Sequence, residues 1–197
     1  MRLDTSIDVS ESPEVYAPAE DSYLLLKVVE VRPGQTLLDM GCGTGLIGLH
    51  AAKLGAVVTA SDINPHAVEL ARRNAARNEL KLEVVESDLF EKVSGEFDVI
   101  CFNPPYLPSD PRPSSWIERA WSGGTEGSEV SERFLEQAWR HLAPGGRIYM
   151  ILSSLTGLRS VLKASRERYE AEMLEERHMF FESIYAYSFV PKRGEAP

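Results

Sequence analysis

Four consecutive residues, Asn103-Pro104-Pro105-Tyr106, have the types and the order needed to bind a flat NH2 group. The Asn103 side-chain oxygen and the Pro104 carbonyl can each accept a hydrogen bond, and the proline ring fixes the direction of that carbonyl. Pro105 and Tyr106 complete the predicted substrate-binding segment, and Tyr106 can stack on a planar group. Acceptors that orient an amide or amine nitrogen favour its in-line attack on a methyl group. The structural alternative is that two prolines end a strand and begin a rigid loop.

A glycine-rich turn, with Asp39 before it and glycines at positions 41, 43 and 45, follows the first apolar run. Glycines permit a tight turn close to a ligand, at the strand end where open α/β sheets bind one. Gly43-x-Gly45-x-x-Gly48 also matches the dinucleotide fingerprint, so an NAD-dependent oxidoreductase is an alternative. Asp39 would repel a pyrophosphate but attract the cationic groups of S-adenosylmethionine, by about 4 kcal/mol at ~4 Å and an effective dielectric of about 20.

Two further acids follow the next two apolar runs of the chain. Asp62 is predicted to accept hydrogen bonds from the ribose hydroxyls of the cofactor. Asp88 is predicted to meet the adenine amino group, with Leu89 packed beside the base. Each aspartate alone is equally well explained as a helix N-cap or turn residue. Three acids at the ends of three consecutive strands favour a binding site.

Apolar runs of strand length alternate with longer helical patterns, which predicts a mainly parallel sheet with helices on both faces. The predicted strands are 36–40, 57–61, 82–87, 97–102, 147–152 and 185–190, and the predicted helices are 19–31, 46–54, 64–78, 128–142 and 158–169. The run 143–146 is Ala-Pro-Gly-Gly, which is predicted to end the helix 128–142. The segment 173–181 is ambiguous, and a strand there would give a C-terminal antiparallel hairpin. The stretch 103–127 is predicted to be irregular.

Composition narrows the class of protein further. The 197 residues carry a net charge of −9, which argues against stable binding to a nucleic-acid backbone. The N-terminus lacks an apolar signal region, and no apolar run approaches the ~20 residues that span a bilayer. Two cysteines without a CxxC pair and four histidines without ligand spacing predict no metal site. We therefore expect a cytoplasmic, single-domain protein without a membrane partner, with an N-terminal extension and helix over 1–34 and a catalytic core over 35–197.

At these residues the chain resembles the class I S-adenosylmethionine-dependent methyltransferases. More narrowly, it resembles the HemK-type glutamine methyltransferases that modify the Gly-Gly-Gln motif of class I translation release factors, in their short archaeal and eukaryotic branch. Residues 15–22 (VYAPAEDS) and 121–127 (WSGGTEG), with the helix that follows, are similar to further motifs of that branch.

The resemblance implies a Rossmann-like fold with a seven-stranded sheet, and S-adenosylmethionine as the cofactor. By position it implies that Ser22, Asp39, Gly41 and Gly43 contact the cofactor, with Asp62 at the ribose and Asp88 and Leu89 at the adenine. Asn103 is implied at both the cofactor and the substrate amide. It also implies a release factor as substrate and a small zinc-binding activator protein as partner. Strand 82–87 would form an exposed sheet edge in this topology, which is open to strand pairing.

Two alternatives remain open besides the oxidoreductase. A nucleic-acid adenine or guanine methyltransferase would use the same four-residue segment, but it would have to flip a base out of its stack. A non-catalytic scaffold would have no need of the segment from Asn103 to Tyr106.

Overall fold

The computed structural model describes residues 1–107, 115–125, 127–155 and 157–192. One seven-stranded sheet has the order β3-β2-β1-β4-β5-β7-β6. The strands are β1 (Thr36–Met40), β2 (Val57–Asp62), β3 (Leu82–Glu86), β4 (Phe97–Phe102), β5 (Leu142–Ser153), β6 (Tyr169–His178) and β7 (Ser183–Pro191). The helices are α1 (Glu20–Val28), α2 (Leu46–Lys53), α3 (Pro65–Arg77), α4 (Trp116–Arg119), α5 (Glu129–Ala138) and α6 (Leu158–Ser165).

The first five strands are parallel, and β7 pairs antiparallel with both β5 and β6. The predicted Rossmann-like architecture, a mainly parallel seven-stranded sheet with a closing antiparallel hairpin, is therefore confirmed. The carboxyl ends of β1, β2 and β4 meet at one edge of the sheet, because β1 pairs with β2 on one side and β4 on the other. Loops that follow these three strands must consequently lie together.

Apolar layers cover both faces of the central strands. Ile100 and Ile148 point to one face and pack with Phe134 of α5. Val99 and Ile151 point to the other face and pack with the α1 leucines. Side chains alternate between faces along a strand, so a strand buried on both sides becomes a continuous apolar run, as in residues 99–102.

Several element boundaries differ from those predicted. Helix α5 ends at Ala138, and β5 already begins at Leu142 and crosses the Pro144-Gly145-Gly146 segment that was predicted only to break the helix. The pairing of Leu142 with Phe97, followed by a register shift, accommodates these residues. Residue 169 was placed at the end of a helix, but it begins β6 because this segment pairs with β7. Within 103–127, the short helix α4 interrupts the predicted irregular stretch, whose residues 108–114 and 126 lie outside the described chain.

The segment before α1 is fixed against α3. The Asn74 amide lies at the centre, because its oxygen accepts a hydrogen bond from Ser10 N at 3.0 Å and its nitrogen donates to Thr44 O at 2.9 Å. A second amide, Asn78, bonds to Asp8 in the same way. These bonds hold the segment before α1 in place, so that residues 15–22 run across the glycine-rich turn. Among the described helices, none combines the length and apolar character required to cross a membrane.

Candidate active site

A cavity opens at the carboxyl ends of β1, β2 and β4. Its lining includes every residue predicted to contact the cofactor: Ser22, Asp39, Gly41, Gly43, Asp62, Asp88, Leu89 and Asn103. Pro105 also lines it, whereas Pro104 and Tyr106 are not among its lining residues. Residues from α1, three strand ends and the segment after β4 are thus brought together around one space.

Two carboxyl groups, the buried Asp39 and the half-buried Asp62, lie at the floor of the cavity. Asp39 Oδ2 accepts a hydrogen bond from Gly48 N at 2.9 Å, and Asp62 accepts from Gly43 N and Asn64 N, both at 2.9 Å. Burial, with a smaller contribution from the neighbouring Asp62 charge, raises the pKa of Asp39 to about 7. Burial likewise raises the pKa of Asp62. In the described part of the chain, neither group forms an ion pair with a basic side chain.

These contacts decide which ligand the glycine-rich turn suits. The amides of Gly43 and Gly48 point at carboxylates and not at an open phosphate site. A bound cation would offset the cost of ionising Asp39, whereas a pyrophosphate would add repulsion. Gly41 has φ +61°, and a Cβ there would lie 3.1 Å from Phe102 Cε2, so glycine lets the turn approach β4 closely. The floor of the cavity therefore fits S-adenosylmethionine and not a dinucleotide.

The adenine side of the cavity contains a residue without a role in the sequence analysis. Arg133 of α5 lines the cavity and donates a hydrogen bond to Asp88 Oδ1 at 3.3 Å. Leu89 is buried and has φ +47°, a left-handed conformation that is uncommon for a residue other than glycine. Backbone strain of this kind concentrates at functional sites.

Asn103 presents an unpaired acceptor to the substrate side. Its Oδ1 atom is buried and has no hydrogen-bond partner among the described residues. A buried acceptor without a partner costs about 1–3 kcal/mol, and such atoms are rare in folded proteins. An incoming N–H donor would satisfy this oxygen. Asn103 directly follows the last residue of β4, and this position brings it to the cavity wall.

A buried carboxylate, Asp21, joins this substrate side to the segment before α1. Its Oδ2 atom accepts hydrogen bonds from the hydroxyls of Tyr16 and Tyr106, both at 3.2 Å, and its Oδ1 accepts from Ser22 N at 2.6 Å. Burial and the Asp21 charge raise the pKa values of both tyrosines, so they stay protonated as donors. The Tyr106 hydroxyl is thus held by the protein.

Tyr16, Asp21 and Arg133 were present in the motifs of the resemblance, but the sequence suggested no role for them. An acid in the first turn of a helix is ordinarily explained by the helix dipole, and Asp21 has that position. The available signal in the sequence was one tyrosine in each of two motifs, Tyr16 in residues 15–22 and Tyr106 in residues 103–106. Their shared contact exists only in the folded chain.

Replacing Asp21 with Ala is expected to destabilise the fold by about 3 kcal/mol, or a fall in Tm of about 6–12 °C, because three donors lose a charged acceptor. We also expect kcat to fall more than cofactor affinity, since Tyr106 is close in sequence to Asn103. Thermal unfolding and steady-state kinetics measure both effects. Asp8→Ala is the control, because Asp8 forms a mainly exposed pair with Arg77 and should change Tm little. An unchanged Tm for Asp21→Ala would contradict this role.

Comparisons with known proteins agree with this geometry. The Methyltransferase small domain family matches residues 7–119. A protein of Methanocaldococcus jannaschii named as a protein N5-glutamine methyltransferase is 49% identical over 74% of this chain and 75% of its own length. Methyltransferase HEMK2 of Mus musculus is 31% identical, with 79% of each chain covered.

Among solved structures, the Mtq2-Trm112 complex of E. cuniculi, responsible for methylation of the eRF1 translation termination factor, is similar with a TM-score of 0.74 and 27% identity. The match covers 91% of this chain and 99% of that one. The chain therefore belongs to the methyltransferase small domain family, and within it to the HemK-type, S-adenosylmethionine-dependent glutamine methyltransferases.

Proposed function

We propose that this enzyme transfers a methyl group to the side-chain amide nitrogen of the glutamine in the Gly-Gly-Gln motif of a class I translation release factor. The observation that supports this most directly is the buried, unpaired Oδ1 of Asn103 on the cavity wall. An amide NH2 group is a donor of the right chemistry for it. Relatives are named as protein N5-glutamine and release factor glutamine methyltransferases, and eRF1 is the target of the E. cuniculi complex.

The proposed roles of Asp39, Asp62 and Asn103 follow from their positions in the cavity, and those of Pro104 and Tyr106 follow from the sequence of the segment after β4. When bound, S-adenosylmethionine supplies an electrophilic methyl group on its sulfonium, which Asp39 and Asp62 would hold by charge and hydrogen bonding. Asn103 Oδ1 and the Pro104 carbonyl would accept the two N–H groups of the substrate amide and turn its nitrogen toward the methyl group. Both acceptors would favour positive charge on that nitrogen as the N–C bond forms and the S–C bond of the donor breaks, leaving a neutral thioether, and one N–H proton is then released to water. Pro105 and Tyr106 would support the substrate.

A small zinc-binding activator is proposed as a partner at the β3 edge. Strand β3 is at the end of the sheet, with Leu82 and Val85 partly exposed, and edge strands are prone to strand pairing. The Trm112 protein in the E. cuniculi complex is the precedent. Co-expression with such an activator should raise solubility and activity. Equal behaviour alone would argue against the partner.

We further propose that the chain works as one cytoplasmic domain. Val15 and Tyr16 of the N-terminal extension line the same cavity as the strand ends, so the extension is part of the site. A translation factor as substrate places the reaction in the cytoplasm.

The experiment is incubation of the enzyme with S-adenosylmethionine and a release factor, followed by mass spectrometry of the Gly-Gly-Gln peptide. One added methyl group on the glutamine is expected, and none on a release factor with that glutamine replaced by alanine. Parallel reactions contain RNA and DNA. Methylation of a guanine or adenine amine, with an unmodified glutamine, would overturn the proposal in favour of a nucleic-acid methyltransferase.

A further inference from the structure

The turn between β6 and β7 displays two aromatic side chains to solvent. Phe180 is 100% exposed and Phe181 is 92% exposed, and Met179 beside them is 41% exposed. Hairpin turns ordinarily contain Gly, Asn, Asp or Ser, so two phenylalanines contradict the usual local chemistry. Local rules are most often broken at functional sites. We define this feature, residues 179–182, as the aromatic turn.

The aromatic turn is held rigidly by polar contacts. Met179 N donates to Glu182 O at 2.7 Å, which closes the turn. The Ser153 hydroxyl, at the end of β5, donates to Glu182 Oε2 at 2.5 Å. The backbones of Ser154 and Ser183 are also linked, since Ser154 N donates to Ser183 O at 2.8 Å. These contacts fix the backbone that presents the two aromatic side chains, so binding would order the side chains but not the turn itself.

The aromatic turn lies at the same end of the strands as the candidate active site, where the parallel strands have their carboxyl ends. Strand β4 ends at Phe102, β5 is its neighbour, and β7 is the next strand and begins just after the turn. Through Met150, Phe102 is level with Tyr187 of β7, about 10 Å away sideways, and the turn lies at least five residues further along the strand direction, so it is about 20 Å from the end of β4. The Glu182 charge also contributes to raising the pKa of Tyr106, which is consistent with the turn lying at this end of the strands.

Negative charge on the same hairpin limits the chemical class of partner that can bind the aromatic turn. Strand β6 contains four glutamates against one arginine, and Glu182 lies in the turn itself. An anionic lipid surface or a nucleic-acid backbone would be repelled by these groups. A polypeptide that is neutral or basic and carries apolar side chains is complementary to an aromatic pair with an acidic border.

From these observations we propose that the aromatic turn docks the polypeptide substrate by contacting its apolar side chains about 20 Å from the target glutamine. This inference rests on the proposed function and adds a specificity surface to it. An extended chain covers about 3.3–3.6 Å per residue, so the contacted side chains lie at least about six residues from the glutamine or on a neighbouring part of the substrate fold. A minimal peptide is too short to reach the turn.

The test is the double variant Phe180→Ser/Phe181→Ser, assayed with the full release factor and with acetyl-Gly-Gly-Gln-amide. We expect the KM for the release factor to rise about tenfold or more, with kcat and the Kd for S-adenosylmethionine within about twofold. Activity on the short peptide should be unchanged. Phe180→Leu/Phe181→Leu should recover most of the KM. The matched control is Leu54→Ser/Val57→Ser, which removes two exposed apolar side chains near the opposite edge of the sheet.

An unchanged KM for the release factor in the serine variant would overturn the inference. So would equal losses on the release factor and the short peptide, because these would locate the effect in the catalytic centre or the fold. A change in oligomeric state with an unchanged KM would assign the turn to self-association and would also overturn it. Failure of the wild-type enzyme to methylate the release factor would instead overturn the proposed function, and it is seen before any variant is made.

Discussion

Replacement of Asn103 with Ala is expected to lower kcat by at least about a hundredfold while the Kd for S-adenosylmethionine changes only a few-fold. The physical reason is that Asn103 Oδ1 is an acceptor already buried and without a partner among the described residues. The substitution removes the group that would fix the amide nitrogen, but it leaves the cofactor acids Asp39 and Asp62 in place. Orientation of the nucleophile is lost, and cofactor binding is largely kept.

Steady-state methylation of the release factor measures kcat, and isothermal titration measures cofactor binding by the same variant. Circular dichroism and Tm verify that the fold is intact. If the variant retained turnover, Asn103 would not be the acceptor for the substrate. If it lost cofactor binding instead, the residue would belong to the cofactor site.

Replacement of Asp39 with Asn is expected to weaken S-adenosylmethionine binding by about a hundredfold or more, because the cofactor loses a buried negative partner. At ~4 Å and an effective dielectric of about 20, such a pair of charges attracts by about 4 kcal/mol. The asparagine oxygen can still accept from Gly48 N, so the change mainly removes charge. Stability of the cofactor-free protein should change in the opposite direction. The Asp39 pKa of about 7 in the folded chain is above the ordinary 3.8. Ionising it in the fold therefore costs about 4 kcal/mol at pH 8.

The sign of the pH dependence follows from this difference. Between pH 3.8 and about 7 the folded protein keeps the Asp39 proton and the unfolded chain does not, so this group lowers stability as pH rises. Cofactor binding favours the ionised form. Affinity in the wild type should therefore increase as pH rises toward 7 and level off above it, with proton release on binding at pH 6 but not at pH 8.

Titration calorimetry in buffers of different ionisation enthalpy measures the released proton, and Tm across the same pH range measures stability. Asp39→Asn should show neither the Asp39-linked proton release nor the corresponding loss of stability. A variant with wild-type affinity, or one that still releases the proton, would show that Asp39 does not face the cationic end of the cofactor.

The sequence by itself determined the first four strands, the glycine-rich turn after β1 and the segment that follows β4. These depend on local patterns: apolar runs at 36–40 and 97–102, glycines where the backbone must turn, and prolines directly after a strand. Parallel strands bring their carboxyl ends to one edge, so the meeting of Asp39, Asp62 and Asn103 also followed from the pattern.

Only the tertiary structure decided the contacts between distant segments. The start of β5 at Leu142 depends on its pairing with Phe97, and that pairing overrides the local preference of Pro144 and the two glycines for a break. The shared contact of Tyr16 and Tyr106 with Asp21, and that of Arg133 with Asp88, join residues far apart in sequence. The exposed Phe180 and Phe181 can be related to the candidate active site only because β7 lies two strands from β4. Such contacts depend on long-range packing, which no local pattern encodes.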